Sequence, residues 1–253
     1  MSDLKKWEVQ SDDWEPLKAY TPARIALGRT GVSVPLNESL RLKLAHAHAK
    51  DAVYSHLDLV GLQASLATTG LPIYSVRSQA ENRDTYLQRP DLGRLLNDRS
   101  AEQLRQLNSP PADICLIVAD GLSATAVMKN AESVVNQVVQ KAQQLGYSLA
   151  PIVLVEQGRV AIMDAIGELL QARLAIILIG ERPGLSSFDS MGAYLTYAPK
   201  PGLTDERRNC VSNIREQGLS ASMAVDKLMY LIQMAFRLQL TGVALKDNDN
   251  LLK

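Results

Sequence analysis

The sequence predicts an α/β fold, with a parallel sheet packed between helices. Three observations carry this. Leu174-Ala175-Ile176-Ile177-Leu178-Ile179 is an unbroken apolar run closed by Gly180 and by Pro183-Gly184. Such a run reads as a strand buried on both faces, the pattern of a parallel strand between helices. Two more short apolar runs precede it, at residues 113–119 and 151–155, and segments of helical period at 123–145 and 162–172 separate the three. Strand, helix, strand, helix, strand at this spacing implies right-handed crossovers and parallel pairing. The class is Rossmann-like, preceded by a smaller, mostly helical N-terminal region.

Composition sets the bounds. The chain has 253 residues, enough for one large domain or two small ones, and 46% of them are hydrophobic. Lys and Arg number 27, as do Asp and Glu, so no net field draws nucleic acid or an anionic membrane. The first thirty residues lack an apolar signal core, and no apolar run approaches a membrane span. Cys115 and Cys210 are too few for a disulfide scaffold, and a reducing, cytoplasmic compartment is expected.

Along the chain, residues 1–20 form a polar tail carrying Trp7 and Trp14, two rings that hint at a partner. Residues 21–110 are expected to be a helical domain contacting a partner, and 111–253 the α/β domain, with the break at Asn108-Ser109-Pro110-Pro111. Gly28 and Gly31 bracket Arg29 in an outline of an anion-approach loop, or an ordinary turn. A helix is expected over 37–57, because Leu36, Leu40 and Leu44 repeat every four residues, with Asn37 as its N-cap. It would carry all three histidines. His46 and His48 stand two apart and point to different sides, whereas helical metal pairs use three- or four-residue spacing. Residues 73–77 read as a short strand. Pro90 suits a first helical turn, and Ser100-Ala101-Glu102-Gln103 reads as a capping box opening a helix to Leu107.

In the α/β half, Ser123 is the expected N-cap of a helix buried through Val127, Ala131, Val134, Val138, Ala142 and Leu145, with Gly146 as its stop. Residues 193–197 read as a strand and 207–214 as mixed. A last helix over 222–238 shows a stripe of Met223, Lys227, Tyr230, Met234 and Leu238, thickened by Leu231 and Ala235. Its methionines are read as core filler.

Three strand exits should share one edge of the sheet: Asp120-Gly121, Gln157-Gly158-Arg159-Val160 and Gly180-Glu181-Arg182. In open α/β sheets that edge binds ligands. The phosphate fingerprints G-x-G-x-x-G and G-x-x-x-x-G-K-[ST] are missing, and no histidine lies in this half, so no Ser/His/Asp or Cys/His arrangement is legible. The rim suits binding of a large, neutral, amide-rich ligand, with no catalytic residue of its own.

At these residues the chain resembles a known family, the small (light, or beta) subunit of ethanolamine ammonia-lyase. Carrying the resemblance are Ala23-Arg24-Ile25-Ala26-Leu27-Gly28-Arg29-Thr30-Gly31, Leu44-Ala45-His46-Ala47-His48-Ala49-Lys50-Asp51-Ala52-Val53 and Tyr86-Leu87-Gln88-Arg89-Pro90-Asp91-Leu92-Gly93-Arg94. It continues through Asp120-Gly121-Leu122-Ser123, Gly158-Arg159-Val160, Gly180-Glu181-Arg182-Pro183-Gly184-Leu185 and Cys210-Val211-Ser212-Asn213-Ile214. The resemblance implies a lyase that converts ethanolamine to acetaldehyde and ammonia through an adenosyl radical from adenosylcobalamin. A large β/α-barrel subunit would handle ethanolamine, in a higher hetero-oligomer, and the small subunit would form one wall of the corrin site. Cobalamin contacts carried over are Val160, Glu181 and Cys210. The Asp-x-His-x-x-Gly motif of base-displaced carriers does not occur, so the nucleotide base is expected to stay on cobalt. The resemblance also implies that residues 24–31 and the 37–57 helix pack on the large subunit or the cofactor edge. Some relatives begin with an extension that directs them into bacterial microcompartments. This chain starts close to the shared region, which puts that targeting in doubt and leaves a bacterial microcompartment open beside the cytoplasm. The helix reads His48 and Lys50 where many relatives have arginine, so roles of those arginines do not transfer. Two other readings remain open: a stand-alone nucleotide- or cofactor-binding module, and a non-catalytic scaffold subunit.

Overall fold

The computed structural model describes residues 8–246. Six strands form one sheet in the order β1-β3-β2-β4-β5-β6. They are β1 (Ile73–Arg77), β2 (Ala112–Ala119), β3 (Ile152–Glu156), β4 (Ala172–Gly180), β5 (Met191–Tyr197) and β6 (Asn209–Ile214). The first four in that spatial order pair in parallel. β5 returns antiparallel to β4, and β6 antiparallel to β5. The α/β class therefore holds, with a mixed sheet whose antiparallel edge follows the parallel part.

Among the described residues seven α-helices accompany it: α1 (Leu36–Tyr54), α2 (Leu59–Leu66), α3 (Arg83–Gln88), α4 (Asp98–Gln106), α5 (Ala124–Gln144), α6 (Ile162–Leu169) and α7 (Ala221–Leu238). Strand alternation splits the core in two. Ile114, Leu116 and Val118 of β2 face α5, α7 and α2, whereas Cys115, Ile117 and Ala119 face α6 and α4. β2 leads by α5 to β3 on one side and then by α6 to β4 on the other. The chain thus reverses direction across β2, and the carboxyl ends of β2 and β4 flank a topological switch point.

Several local expectations change. β1 comes from before Pro110-Pro111 yet hydrogen-bonds to β3, so the 110/111 division runs through the sheet. Helix α1 opens at Pro35 without a side-chain cap, so Asn37 lies inside it, and it ends before His56. Helix α4 is capped by Asn97, whose side chain accepts from the Ser100 N–H; the Ser100 capping box gives way because Asn97 reaches that donor from one turn earlier. Pro90 lies in the turn after α3. Ser123 caps α5 as expected, and Gly146 takes φ +79° after it, but Leu145 is 51% exposed. In α7 the buried face is Ala224, Val225, Leu228, Met229, Leu231, Ile232 and Ala235, and Met234 packs partly buried against the core, while Met223 and Leu238 point outward. Met234 is thus core filler as expected, and Met223, at 57% exposed, is not. Among the described residues no helix is long and apolar enough to cross a membrane. Trp7 lies outside the described residues, and Trp14 is exposed.

Candidate functional site

The three expected strand exits meet. Gly121 and Leu122 after β2, Arg159 and Val160 after β3, and Gly180, Glu181 and Arg182 at the end of β4 line one depression of about 400 Å³, joined by Tyr86, Tyr194 and Ser212. It opens at the switch point, where such folds place ligands.

Close backbone approach makes this floor. A Cβ on Gly121 would stand 2.3 Å from the Gly180 carbonyl oxygen, and one on Gly180 would stand 2.0 Å from the Ser123 carbonyl oxygen. No side chain fits at either point. The Leu122 N–H donates to the Gly180 carbonyl at 2.9 Å, which stitches the β2 exit to the end of β4.

Glu181 is half-buried and its carboxylate is a hub. Oε2 accepts from the Ser190 hydroxyl at 2.6 Å and from the Asn213 N–H at 3.3 Å, and Oε1 accepts from the Ser212 hydroxyl at 2.5 Å. A carboxylate offers about four acceptor positions, so three internal bonds leave one direction open to the depression. Glu181 therefore ties β4 to β5 and β6 as well as facing the cavity. Val160 sits half-exposed at the turn before α6, on the cavity wall. Cys210 is in β6, which the sequence had left as mixed, paired across the ladder with Tyr194. It is exposed and does not line the depression itself; β5 lies between its strand and β4, and its pair Tyr194 is the lining residue. Partial covering pushes its thiol up, and the nearby Glu181 charge adds to the rise against a hydrogen bond with Tyr194, so Cys210 is a neutral thiol near pH 7. Cys115 is buried in the sheet with its thiol pushed up to about 12, and both cysteines are free.

Sequence reading missed Tyr86 and Tyr194. Tyr86 is fully buried in α3 and donates its hydroxyl to the Gly158 carbonyl at 3.0 Å. The Arg83 and Arg159 guanidinium groups lie 4.7 and 4.2 Å from its ring centroid. Its signal was the Tyr86 to Arg94 motif, whose Gly93 carbonyl accepts the Arg159 N–H at 2.7 Å. A Cβ on Gly93 would strike both Arg159 and Tyr86. That motif shapes the far wall of the depression. Tyr194 sits in β5, where nothing in the sequence marks a site.

The N-terminal arm reaches the same end of the molecule. Arg24 donates to the Leu185 carbonyl at 3.3 Å, in the loop after Glu181. Gly28 and Gly31 hold φ of +70° and +61°, and Arg29 is engaged by Gln10 through a backbone bridge and a 2.8 Å side-chain bond. These residues form a turn; nothing about them gathers donors around an anion. His48 packs tilted against Phe188 of the same loop at 5.4 Å between ring centroids. Among the described residues no group of three His, Cys, Asp or Glu side chains is set to hold a metal ion.

Known proteins match this sequence over nearly its whole length. Residues 11–246 match the family described as "Ethanolamine ammonia-lyase light chain (EutC)". A relative named "Ethanolamine ammonia-lyase small subunit" from Xanthomonas campestris pv. campestris is 55% identical over 239 residues, covering 93% of this chain and 88% of its own. A namesake from Pseudomonas syringae pv. tomato is 49% identical over 259 residues, covering 99% and 90%. One from Azotobacter vinelandii is 52% identical over 237 residues, covering 92% and 88%. A family match over residues 11–246, with identities of 49–55% over 92–99% of the chain, makes the chain a member of the ethanolamine ammonia-lyase light-chain family.

Proposed function

We propose that this chain is the small subunit of an adenosylcobalamin-dependent ethanolamine ammonia-lyase, forming one wall of the corrin site in a complex with a large catalytic subunit. The observation that carries the reading is the open depression at the switch point, lined by Val160 and Glu181. A corrin with its amide side chains is far larger than 400 Å³, so this surface is half of a site, and a second chain supplies the rest. The chemistry fits. Backbone groups, hydroxyls and one carboxylate suit amide donors and acceptors, and the Val160 side chain suits the ring's apolar edge. Adenosylcobalamin, when bound, supplies the radical chemistry. The residues of this chain bind and orient: Glu181 accepts from an amide N–H, Val160 packs, and Cys210 stands close as a small neutral thiol. Substrate handling belongs to the large subunit.

The partner reading has its own support. Helix α1 is 19 residues long, yet only Ala52 of it is buried. Leu36, Leu40 and Leu44 are 73%, 55% and 57% exposed along one side, and Val32 and Val34 before them are exposed too. Such a contiguous apolar surface marks an interaction face. We assign it to the large subunit.

The test is reconstitution. The purified chain alone should give no acetaldehyde from ethanolamine with adenosylcobalamin, and should gain activity on addition of the large subunit. Turnover by the chain alone would overturn the assignment of roles, and failure of the pair to bind cobalamin would overturn the site. In the assembled pair, Glu181→Ala should lose a charge-assisted bond worth about 1.5–3 kcal/mol, a roughly ten- to hundredfold loss of cobalamin affinity. Because Ser190, Ser212 and Asn213 also bond to Glu181, the variant should melt lower as well. Glu181→Gln, which keeps an acceptor oxygen, should lose less of both. An Ala variant that melts lower but binds cobalamin like the parent would make Glu181 a strut only.

A further inference from the structure

Beneath the cavity wall lies a charged cluster that the expected cofactor contacts leave unused. Asp120, the residue after β2, is 3% exposed. Its Oδ1 accepts the N–H groups of Gly121 at 2.8 Å and Gly158 at 3.0 Å, and its Oδ2 accepts that of Gln157 at 2.8 Å. Two of these donors belong to the β3 exit, so one side chain after β2 fixes where the neighbouring strand's exit runs. Gln157 holds φ +57°, a conformation that a residue with a side chain keeps only when its surroundings impose it.

Arg83, from α3, backs this carboxylate. Its Nη1 lies 3.7 Å from Asp120 Oδ2 and donates to the Gly121 carbonyl at 2.8 Å and to Gln157 Oε1 at 3.3 Å. Its Nε donates to the Val53 carbonyl at 2.6 Å, in the last turn of α1. Tyr86, one turn on in α3, takes the Gly158 carbonyl. Both backbone polar groups of Gly158 are thus held by side chains, and the next two residues are Arg159 and Val160 of the wall. The cluster is costly. A carboxylate and a guanidinium are taken from water, and Arg83 Nη2 is buried without a hydrogen-bond partner. Buried polar expense of this kind is characteristic of functional sites.

We propose that Asp120, backed by Arg83, is a positioning residue for the cofactor wall, acting through the Gln157 and Gly158 backbone to set Arg159 and Val160. The proposal rests on the cobalamin reading above. Burial pushes the Asp120 carboxyl up to about 6 against the pull of its N–H donors and Arg83. The charged or titratable groups around it are Arg83 and Tyr86 from α3 and Arg159 from the β3 exit. β4 presents the backbone of Gly180, and α1 that of Val53. Burial holds the Tyr86 phenol neutral. Asp120 is therefore the member of this cluster that changes charge near pH 6. Two properties then move in opposite directions. A folded-state value above the unfolded one means that stability declines as pH rises from the ordinary aspartate range to about 6. Cobalamin affinity, which needs the ionised acceptor, falls as pH drops through about 6.

Asp120→Asn tests this in the assembled complex. Asparagine keeps the shape, but its amide NH2 must face at least one backbone N–H. Cobalamin binding, read from visible absorbance, should weaken about tenfold at pH 8 and lose its dependence on pH near 6. The loss should fall on affinity more than on turnover at saturating cofactor. Amide exchange at Gln157 and Gly158 should quicken. A folded Asn variant with parental affinity and parental protection at those amides overturns the proposal. If the Asn variant does not fold, Tyr86→Phe removes only the hydroxyl bond to Gly158; it should weaken binding about threefold or more, and parental affinity there overturns the proposal instead. A parent complex that takes up no cobalamin would sink the functional reading, and amide exchange at 157 and 158 would then judge the clamp by itself.

Discussion

Arg208→Ala should cost the chain about 3–5 kcal/mol of stability, the usual penalty for stripping one partner from a buried ion pair. Arg208 and Asp164 side chains are each 2% exposed. The guanidinium is fully used: Nη1 donates to Asp164 Oδ1 at 2.7 Å and Thr196 at 3.0 Å, Nη2 donates to Asp164 Oδ2 at 2.8 Å and the Leu203 carbonyl at 3.0 Å, and Nε donates to Asp205 at 3.2 Å. These bonds join α6, β5 and the loop before β6, and so support the edge that carries Ser212 and Cys210. Removing Arg208 leaves a buried carboxylate with no cation. The melting temperature should fall on the order of 10 °C. Burial already lifts the Asp164 carboxyl above its ordinary range against the pull of Arg208, and without Arg208 it should rise further. Such a group favours the folded state at acid pH and loses that contribution as pH rises, so the variant's deficit should be smaller at pH 5 than at pH 8. A deficit that is equal at both values would mean that Asp164 is not the group left exposed to the loss. Replacing both residues by apolar ones of similar volume should recover much of the stability.

That pair also marks where sequence reading stops. β2, β3 and β4 were legible because each is short, apolar and bounded by turn formers; burial on both faces leaves the sequence no alternation to confuse with a helix. Their exits were legible for the same reason, since a strand that stops at Gly180 or Asp120-Gly121 announces its own edge. β6 was not, because only Val211 and Ile214 of Asn209–Ile214 are buried, and a polar edge strand looks like a loop. Tyr86 and Asp120 were named within a motif and a turn and Arg83 was not, and the meeting of the three depends on α3 folding back, with Arg83 37 residues before Asp120 at β2's exit. No local pattern encodes that distance. The Leu36, Leu40 and Leu44 repeat predicted a helix correctly, while periodicity gave no sign that the leucines would face outward.

Those leucines carry the largest functional effect. Leu40→Glu with Leu44→Lys should abolish assembly with the large subunit at working concentrations. Fully burying a leucine stabilises by about 1.5–3 kcal/mol. Leu40 and Leu44 are 55% and 57% exposed, so an interface would gain roughly half of that from each, about 2 kcal/mol together. The substitutions forfeit this and add two charges whose desolvation costs several kcal/mol more. The dissociation constant should rise at least about a hundredfold. The free chain should hardly notice. Glu and Lys form helices about as well as Leu, the Glu-to-Lys order at four-residue spacing is favourable, and substitutions at exposed positions usually fall within about 0.5 kcal/mol. Helix α1 stays anchored at its other end, where Arg83 holds the Val53 carbonyl and the Ser55 hydroxyl accepts the Thr125 N–H. Circular dichroism and melting should therefore match the parent, while sedimentation of the mixed subunits shows free chains and ethanolamine turnover disappears. A variant that sediments with the large subunit as the parent does would place the interface elsewhere, and would leave the leucine face without the partner assigned to it here.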